Sequence, residues 1–456
     1  MTIYPIISIK DFGPFKQASL ELKPLTLLIG RNSVGKSMLA YLVWILASLI
    51  PDPEIIGEIA VEKGVDRLAT ETISEIRKGG NVSDKIKNLL KIHIDALPEA
   101  ISVSLKESLQ RTFTTNLEEL IRKGASQAII GVEALRSSLK FAIEDNEVKV
   151  IDHKPYMEFF EKLRISVPRP RILRVTYVEK GQEKKIYEDI ADSIADLVKA
   201  TFNMFMSYVV EAFYPLFSAT LAALLPDSRA GIARTLLKPY TQPAIAKKVS
   251  YADEEFISLY FRLAEMVERG LIDLDMVKPL FKELSCTPEV VFERGVYTVY
   301  INTWTGKRLP LAQAPSGVRE SLTVALALAS RKEPYIVIVE EPEAHLHPRA
   351  QRVLARLIAR SINSLRKHVV ITTHSDYILY VLNNLITLSH DLIKAEKLGY
   401  RRDEVLKPDM VSAYLVRAED GKAVLDRLEV GDEGISEDEF VKVAEELAEE
   451  RSKILA

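Results

Sequence analysis

The feature that most constrains this chain is a nearly unbroken apolar run, Leu25-Thr26-Leu27-Leu28-Ile29, followed at once by Gly30-Arg31-Asn32-Ser33-Val34-Gly35-Lys36-Ser37. A short apolar run without alternation reads as a strand buried on both faces. From Met38 to Ile50 only apolar, aromatic and small residues follow, too few to span a bilayer and well suited to a core helix. Strand, glycine loop and helix in this order are what a phosphate-binding loop requires. The glycines let backbone N–H groups turn inward around an anion at a helix N-terminus. Lys36 then reaches β- and γ-phosphates, and Ser37 offers its hydroxyl to a Mg²⁺ ion. The pattern G-x-x-x-x-G-K-[ST] arises by chance in ~1–2% of random chains of this length. The flanking strand and helix weaken the chance account further, which leaves nucleotide binding as the reading.

A second constellation needs the first to give it meaning. Residues 335–339, Tyr-Ile-Val-Ile-Val, read as another buried strand, and it delivers Glu340 and Glu341, then Pro342 and Glu343. Of two adjacent carboxylates at a strand end, one can hold Mg²⁺ while the next orients or deprotonates an attacking water. Glu340 takes the metal side and Glu341 the catalytic side. A solvated acidic loop is the alternative for such a pair alone, and the phosphate loop elsewhere in the chain argues against it.

The rest of the chain reads as α/β. Short alternating strands open it around Gly13-Pro14, and residues 51–127 are mostly helical. Strand pairs follow at 138–143 with 147–151 and at 172–178 with 185–187. Residues 200–225 carry Glu211 as their one charge. A carboxylate in a bilayer costs ~2.5 kcal/mol or more, so two packed helices meeting at Pro215 are expected rather than a span. Residues 231–284 read as a helical block. Strands are expected at 290–292, 296–304, 369–373, 413–416 and 424–430, a helix at 348–365, and a capping box from Ser436 to Glu439 for a final helix.

Composition bounds the function classes. A chain of 456 residues with 47% hydrophobic content can bury a large core and a satellite domain. A formal net charge of −3 points to neither nucleic acid nor membrane. One cysteine, Cys286, excludes internal disulfides and Cys-based zinc clusters and fits a reducing compartment. Residues 1–10 lack the pattern of a secretory signal. The expected location is cytoplasmic.

With these motifs in hand, a family resemblance becomes specific. Glu340-Glu341-Pro342-Glu343-Ala344-His345-Leu346-His347-Pro348 resembles the Walker B and D-loop segment of the OLD-like and RecF/SMC branch of ABC-type ATPases. Ala314-Pro315-Ser316-Gly317-Val318-Arg319-Glu320 is similar to the ABC signature, and Ile371-Thr372-Thr373-His374-Ser375 to the switch-histidine segment. Leu224-Leu225-Pro226-Asp227-Ser228-Arg229-Ala230-Gly231 resembles a P-x-x-R element of OLD-like ATPases. Val318 departs from the family's second small residue, and no glutamine can be assigned as the Q-loop.

The resemblance implies an α/β fold with an ABC-type P-loop NTPase core, a mixed sheet with an antiparallel β subdomain, and a helical insertion or lid. Its expected divisions are 1–225 as a first lobe, 226–285 as the lid, 286–430 as a second lobe and 431–456 as a C-terminal helix. It implies ATP and Mg²⁺ as cofactors, with Gly30 to Ser37 on the phosphates, Ser37 and Glu340 toward the metal, and Glu341 and His374 in catalysis. Arg229 would lie near the nucleotide or the lid. Ser316 and Gly317 would reach the γ-phosphate of the opposite subunit in an ATP-induced homodimer, with His345 and His347 along the interface. Too little chain follows His374 for a Toprim nuclease domain, and the heptads of SMC arms are absent. The expectation is an ATP-hydrolysing switch or motor acting on DNA or through an effector protein, not at a membrane. A regulatory nucleotide-binding module with negligible turnover and the ATPase subunit of a transporter stay open beside it. Arg352, Arg356 and Arg360, at i, i+4 spacing, form a basic stripe, readable as a solvated face or as a phosphate-backbone contact.

Overall fold

The computed structural model describes residues 4–169, 171–213, 216, 222–236, 250–293, 295–436, 446 and 449–454. The chain forms two compact units, Met1–Gly13 with Ile45–Ala219 and Pro14–Trp44 with Thr220–Ala456. The division therefore falls differently from the lobes expected above. Residues 226–285 and 286–430 share one unit, because their helices bury apolar faces in one core. Phe256, Leu259, Leu263, Met276, Leu280 and Phe281 join the cluster that holds Leu27, Val337 and Ile371.

In the first unit, strand Ile6–Phe12 pairs antiparallel with Ala128–Glu133, and the ladder continues through Ser138–Glu144 and Glu147–Lys154. Alternation places Ile7, Ile9, Ile130, Val132, Leu139 and Phe141 in the interior. Asp145 and Asn146, both at positive φ, make the tight turn between the last two strands. Helix Ser83–Phe113 packs against this ladder and against helix Ile194–Phe213. A three-stranded sheet, Leu163–Arg169, Ile172–Glu179 and Gln182–Ile190, completes the unit. Strands Ala128–Glu133 and Leu163–Arg169 lie where none was expected.

The second unit is built on a mixed sheet. Its strands run in the order Ala222–Leu225, Ile336–Glu340, His368–Thr373, Leu25–Ile29, Val411–Glu419, Lys422–Leu428 and Phe15–Glu21. All neighbours are parallel except the hairpin Val411–Glu419 with Lys422–Leu428. The register sets Thr373 beside Ile29, Glu340 beside Thr372, and Leu225 beside Val339. Four chain segments thus leave the sheet at one edge, outside the carboxyl ends of parallel strands, where α/β folds place ligands.

Ala222–Leu225 corrects the reading of residues 200–225 as two helices. Periodicity cannot separate helix from strand in a short apolar run, and pairing with Ile336–Glu340 decides for a strand. Pro215 lies outside the described residues, as do Glu439 of the expected capping box and most of the expected C-terminal helix. Among the described residues no single helix is long and apolar enough to cross a membrane.

Gly30 is required by packing as well as by conformation. Its φ is +148°, and a Cβ there would lie 2.1 Å from the carbonyl oxygen of Val416. Gly30→Ala is expected to cost more than ~2 kcal/mol of stability, read as a lower urea midpoint of the nucleotide-free protein. An unchanged midpoint would show that the neighbouring strand yields without cost.

Candidate active site

The glycine loop turns through positive φ at Gly30, Ser33 and Gly35, and helix Lys36–Ser48 starts at the motif lysine. Phe15 packs where a Cβ on Gly35 would stand, 2.8 Å away. Arg31, Asn32 and Ser33 are exposed, Val34 is half-buried, and Lys36 is 5% exposed. The Lys36 ammonium donates to the carbonyls of Gly30 at 2.8 Å and Arg31 at 2.7 Å. It holds the loop closed on itself at the position from which it would meet phosphate oxygens. Burial pulls its pKa below the ordinary lysine value, against the opposing pull of Glu341, Glu343 and Glu340.

Glu340 ends its strand with its side chain turned inward, 2% exposed. Its carboxylate accepts hydrogen bonds from the hydroxyls of Ser37 and Tyr41 and, at 3.4 Å, from the Asp227 N–H. Burial raises its pKa despite these donors. Carboxylate and hydroxyl oxygens together form the hard donor set that suits Mg²⁺, so the residues present fit the ion. Sequence reasoning missed Tyr41 and Asp227. Tyr41 stands four residues after Ser37 on one helix face, a spacing that could have found it.

Glu341 takes φ +43°, uncommon for a residue with a side chain. Its N–H is held by the Thr372 carbonyl at 2.9 Å. Its carboxylate lies 3.4 Å from His374 Nδ1. Glu343 is buried beside them, accepting from the Thr373 hydroxyl at 2.7 Å and the His374 N–H at 3.0 Å. Its second carboxyl oxygen is buried without a hydrogen-bond partner. Burial, the largest influence on Glu343, raises its pKa.

Arg229 is wholly buried. Its guanidinium donates to the carbonyls of Leu225, Pro226, Glu340 and Glu341, and Nε lies 3.1 Å from a carboxyl oxygen of Glu320. Expected near the nucleotide or a lid, it lies behind the acidic strand, its donors turned to backbone. Burial raises the pKa of Glu320 and lowers that of Arg229. The guanidinium nevertheless stays cationic, so Glu320 serves as its counter-ion. Helix Ser316–Ala329 carries Glu320 and begins at Ser316 and Gly317. A Cβ on Gly317 would meet the His345 carbonyl at 2.9 Å, so helix Ser316–Ala329 packs closely against the segment that follows Glu343. Ser316 is half-buried, and His345 and His347 are exposed.

The basic stripe is only partly a solvated face: Arg352 is exposed, whereas Arg356 and Arg360 are engaged by carboxylates of the same chain. Arg356 pairs with Glu404 at 2.7 Å and Arg360 with Asp403 at 3.2 Å, while Arg352 reaches the Tyr400 hydroxyl at 3.3 Å. The segment that covers the stripe follows it by some forty positions, and periodicity cannot report such a contact.

Glycine loop, Glu340, Glu341 and His374 therefore lie within one unit. The AAA ATPase domain family matches residues 3–222 and 231–379. No curated protein matches the chain significantly. Solved structures similar to it include an Smc head bound to the C-winged helix domain of ScpA, at 10% identity and TM-score 0.43, covering 94% of this chain and 98% of that one. The SMC head domain from Thermotoga maritima matches at 11% identity and TM-score 0.37, covering 93% of this chain and 98% of that one. An Smc head domain with an extended coiled coil, bound to the C-terminal domain of ScpA derived from Pyrococcus furiosus, matches at 11% identity and TM-score 0.40, with 97% and 100% covered.

A group whose folded pKa is raised stabilises the fold below its unfolded pKa and loses that contribution as pH rises through the folded value. The raised carboxyl of Glu343 places that loss above its ordinary value of 4.5. Urea unfolding of nucleotide-free protein from pH 4.5 to 8 should therefore show a component of stability that declines with pH and is missing in Glu343→Gln. Identical pH dependence in the two proteins would remove Glu343 as its source.

Proposed function

The chain belongs to the AAA ATPase domain family, and from that premise we propose that it hydrolyses ATP to ADP and phosphate at sites that two copies of the chain complete together. The observation that carries the proposal is that Lys36, Glu340, Glu341 and His374 sit on segments that leave neighbouring parallel strands at the same end of the sheet.

Each residue has a separable task. Loop N–H groups and the Lys36 ammonium bind the β- and γ-phosphates. Ser37 and Glu340 would hold Mg²⁺. When bound, the ion neutralises charge that develops on the phosphate oxygens. Glu341 orients the attacking water and takes its proton, with its carboxylate steered by His374 alongside. His374 would also sense the γ-phosphate. Ser316 and Gly317, at the start of a helix, would bring N–H groups to the γ-phosphate of the partner subunit. ATP binding would then close the dimer and hydrolysis release it, a switch passed on to an effector protein. Direct action on DNA has weaker sequence-level support, because Arg356 and Arg360 of the arginine stripe are already paired within the chain.

Lys36→Ala should lose ATP affinity, whereas Glu341→Gln should keep affinity and lose turnover by ~10²-fold or more. Equilibrium binding of a labelled ATP analogue and single-turnover hydrolysis separate the two effects. Equal affinity losses in both variants would reverse the assigned roles, and wild-type protein without turnover would leave a regulatory binding module.

The composite site is tested by mixing. Lys36→Ala and Ser316→Arg should each be inactive alone, yet a mixed dimer contains one site with an intact loop and an intact signature. With random subunit exchange, activity should recover to about a quarter of wild type. A mixture that stays inactive, with exchange shown by mass spectrometry, would count against Ser316 acting across the interface.

A further inference from the structure

We infer that Arg229 is a positioning residue that couples the two ATP sites of the dimer, by tying the signature helix that serves one site to the Glu341 that serves the other; this rests on the two-copy reading above. The geometry has two ends. At the signature end, Nε donates to the Glu320 carbonyl at 3.2 Å and lies 3.1 Å from its carboxylate. The other carboxyl oxygen of Glu320 accepts the Ala230 N–H at 3.1 Å. Glu320 stands one helical turn after Ser316, so a displacement of the helix start reaches the guanidinium directly.

At the acidic end, the same guanidinium donates to the carbonyl of Glu340 at 2.6 Å and of Glu341 at 3.1 Å. The Glu341 N–H is held from the far side by Thr372 at 2.9 Å. Its backbone is therefore gripped at both peptide groups while it occupies φ +43°. Such a conformation persists only where its surroundings over-determine it. The direction of the Glu341 carboxylate thus depends on where Arg229 sits.

No part of this linkage can let go cheaply. Arg229 has no solvent exposure, so a broken bond leaves a buried polar group without a partner. Signature helix, Arg229 and the Glu341 peptide consequently move as one body. A second contact acts in parallel, since Gly317 packs on the His345 carbonyl just beyond the acidic motif. In a two-fold dimer the signature of one chain faces the partner's nucleotide, while Glu341 faces its own. Docking of a γ-phosphate at one site therefore biases the catalytic carboxylate at the other.

The test compares wild type, Arg229→Lys and Glu320→Gln in ATP affinity, kcat, Hill coefficient of turnover and melting midpoint. Wild type should be cooperative, with a Hill coefficient well above 1 and approaching 2, roughly the limit for two sites. Both variants should bind ATP within about threefold of wild type, lose kcat about tenfold or more, and become hyperbolic. A brace that only stabilises the fold would lower the melting midpoint and affinity together and leave the Hill coefficient unchanged, and that result overturns the inference. Should Arg229→Lys fail to fold, Glu320→Gln decides, because it keeps an acceptor for Ala230 and removes only the charge. A Glu320→Gln protein with wild-type kcat and cooperativity overturns the coupling, as does a wild type that hydrolyses ATP hyperbolically; the hydrolysis reading survives both. Wild type without any turnover overturns the two together.

Discussion

The Arg229 guanidinium has no solvent exposure, and a cation so placed needs a counter-charge and an acceptor for each of its N–H groups. It draws them from three places: the end of strand Ala222–Leu225, the end of strand Ile336–Glu340, and the start of the signature helix. The geometry of this edge of the sheet depends on this one residue, because it joins the loops that follow two strands to the start of a helix. Glu320 supplies the compensating charge from a largely buried helix. A buried pair of this kind contributes little net stability. What it provides is a defined relative position for the groups around it, since loss of either partner strands the other.

The phosphate loop is constrained in a complementary way. Strand Leu25–Ile29 lies between His368–Thr373 and Val411–Glu419, so the loop emerges with a neighbour on each side. On one side the Val416 carbonyl approaches Gly30 too closely for any side chain. On the other, Thr373 leads directly to His374. Glu341, Glu343 and Glu340 pull on the Lys36 ammonium electrostatically, and burial works against the charged form of Lys36, Glu340 and Glu343. The nucleotide-free edge thus brings together desolvated charges that a polyphosphate and its cation are suited to satisfy.

The legible part of the site consists of residues whose task forces a local pattern. Gly30 to Ser37 and Glu340 to Glu343 were readable because glycine spacing and a buried strand leave few other accounts. Tyr41 was within reach through its helical spacing from Ser37. Glu320 was not: a lone carboxylate after a serine and a glycine reads as a feature of a helix start, and only its buried partner gives it a role. The arginine stripe erred in the same direction. Periodicity places Arg352, Arg356 and Arg360 on one face, but says nothing of Tyr400, Asp403 and Glu404 arriving later in the chain to cover it.

Division into units shows where local pattern runs out. Residues 226–285 carry helix signals and correctly form helices Tyr251–Glu268 and Leu274–Glu283, yet amphipathicity does not say which core an apolar face enters. Ala222–Leu225 shows the limit for strands, since its short apolar run became a strand only by pairing with Ile336–Glu340. By itself the sequence determined the phosphate loop, the acidic strand end and the order of the motifs, because each is enforced by contacts within a few residues. The tertiary structure alone decided that Arg229 donates to backbone carbonyls, that Val416 closes on Gly30, and that Arg356 and Arg360 are paired with acids some forty residues later. Those outcomes depend on which distant segments the sheet brings side by side, and desolvation then selects the pairings that leave no buried charge alone.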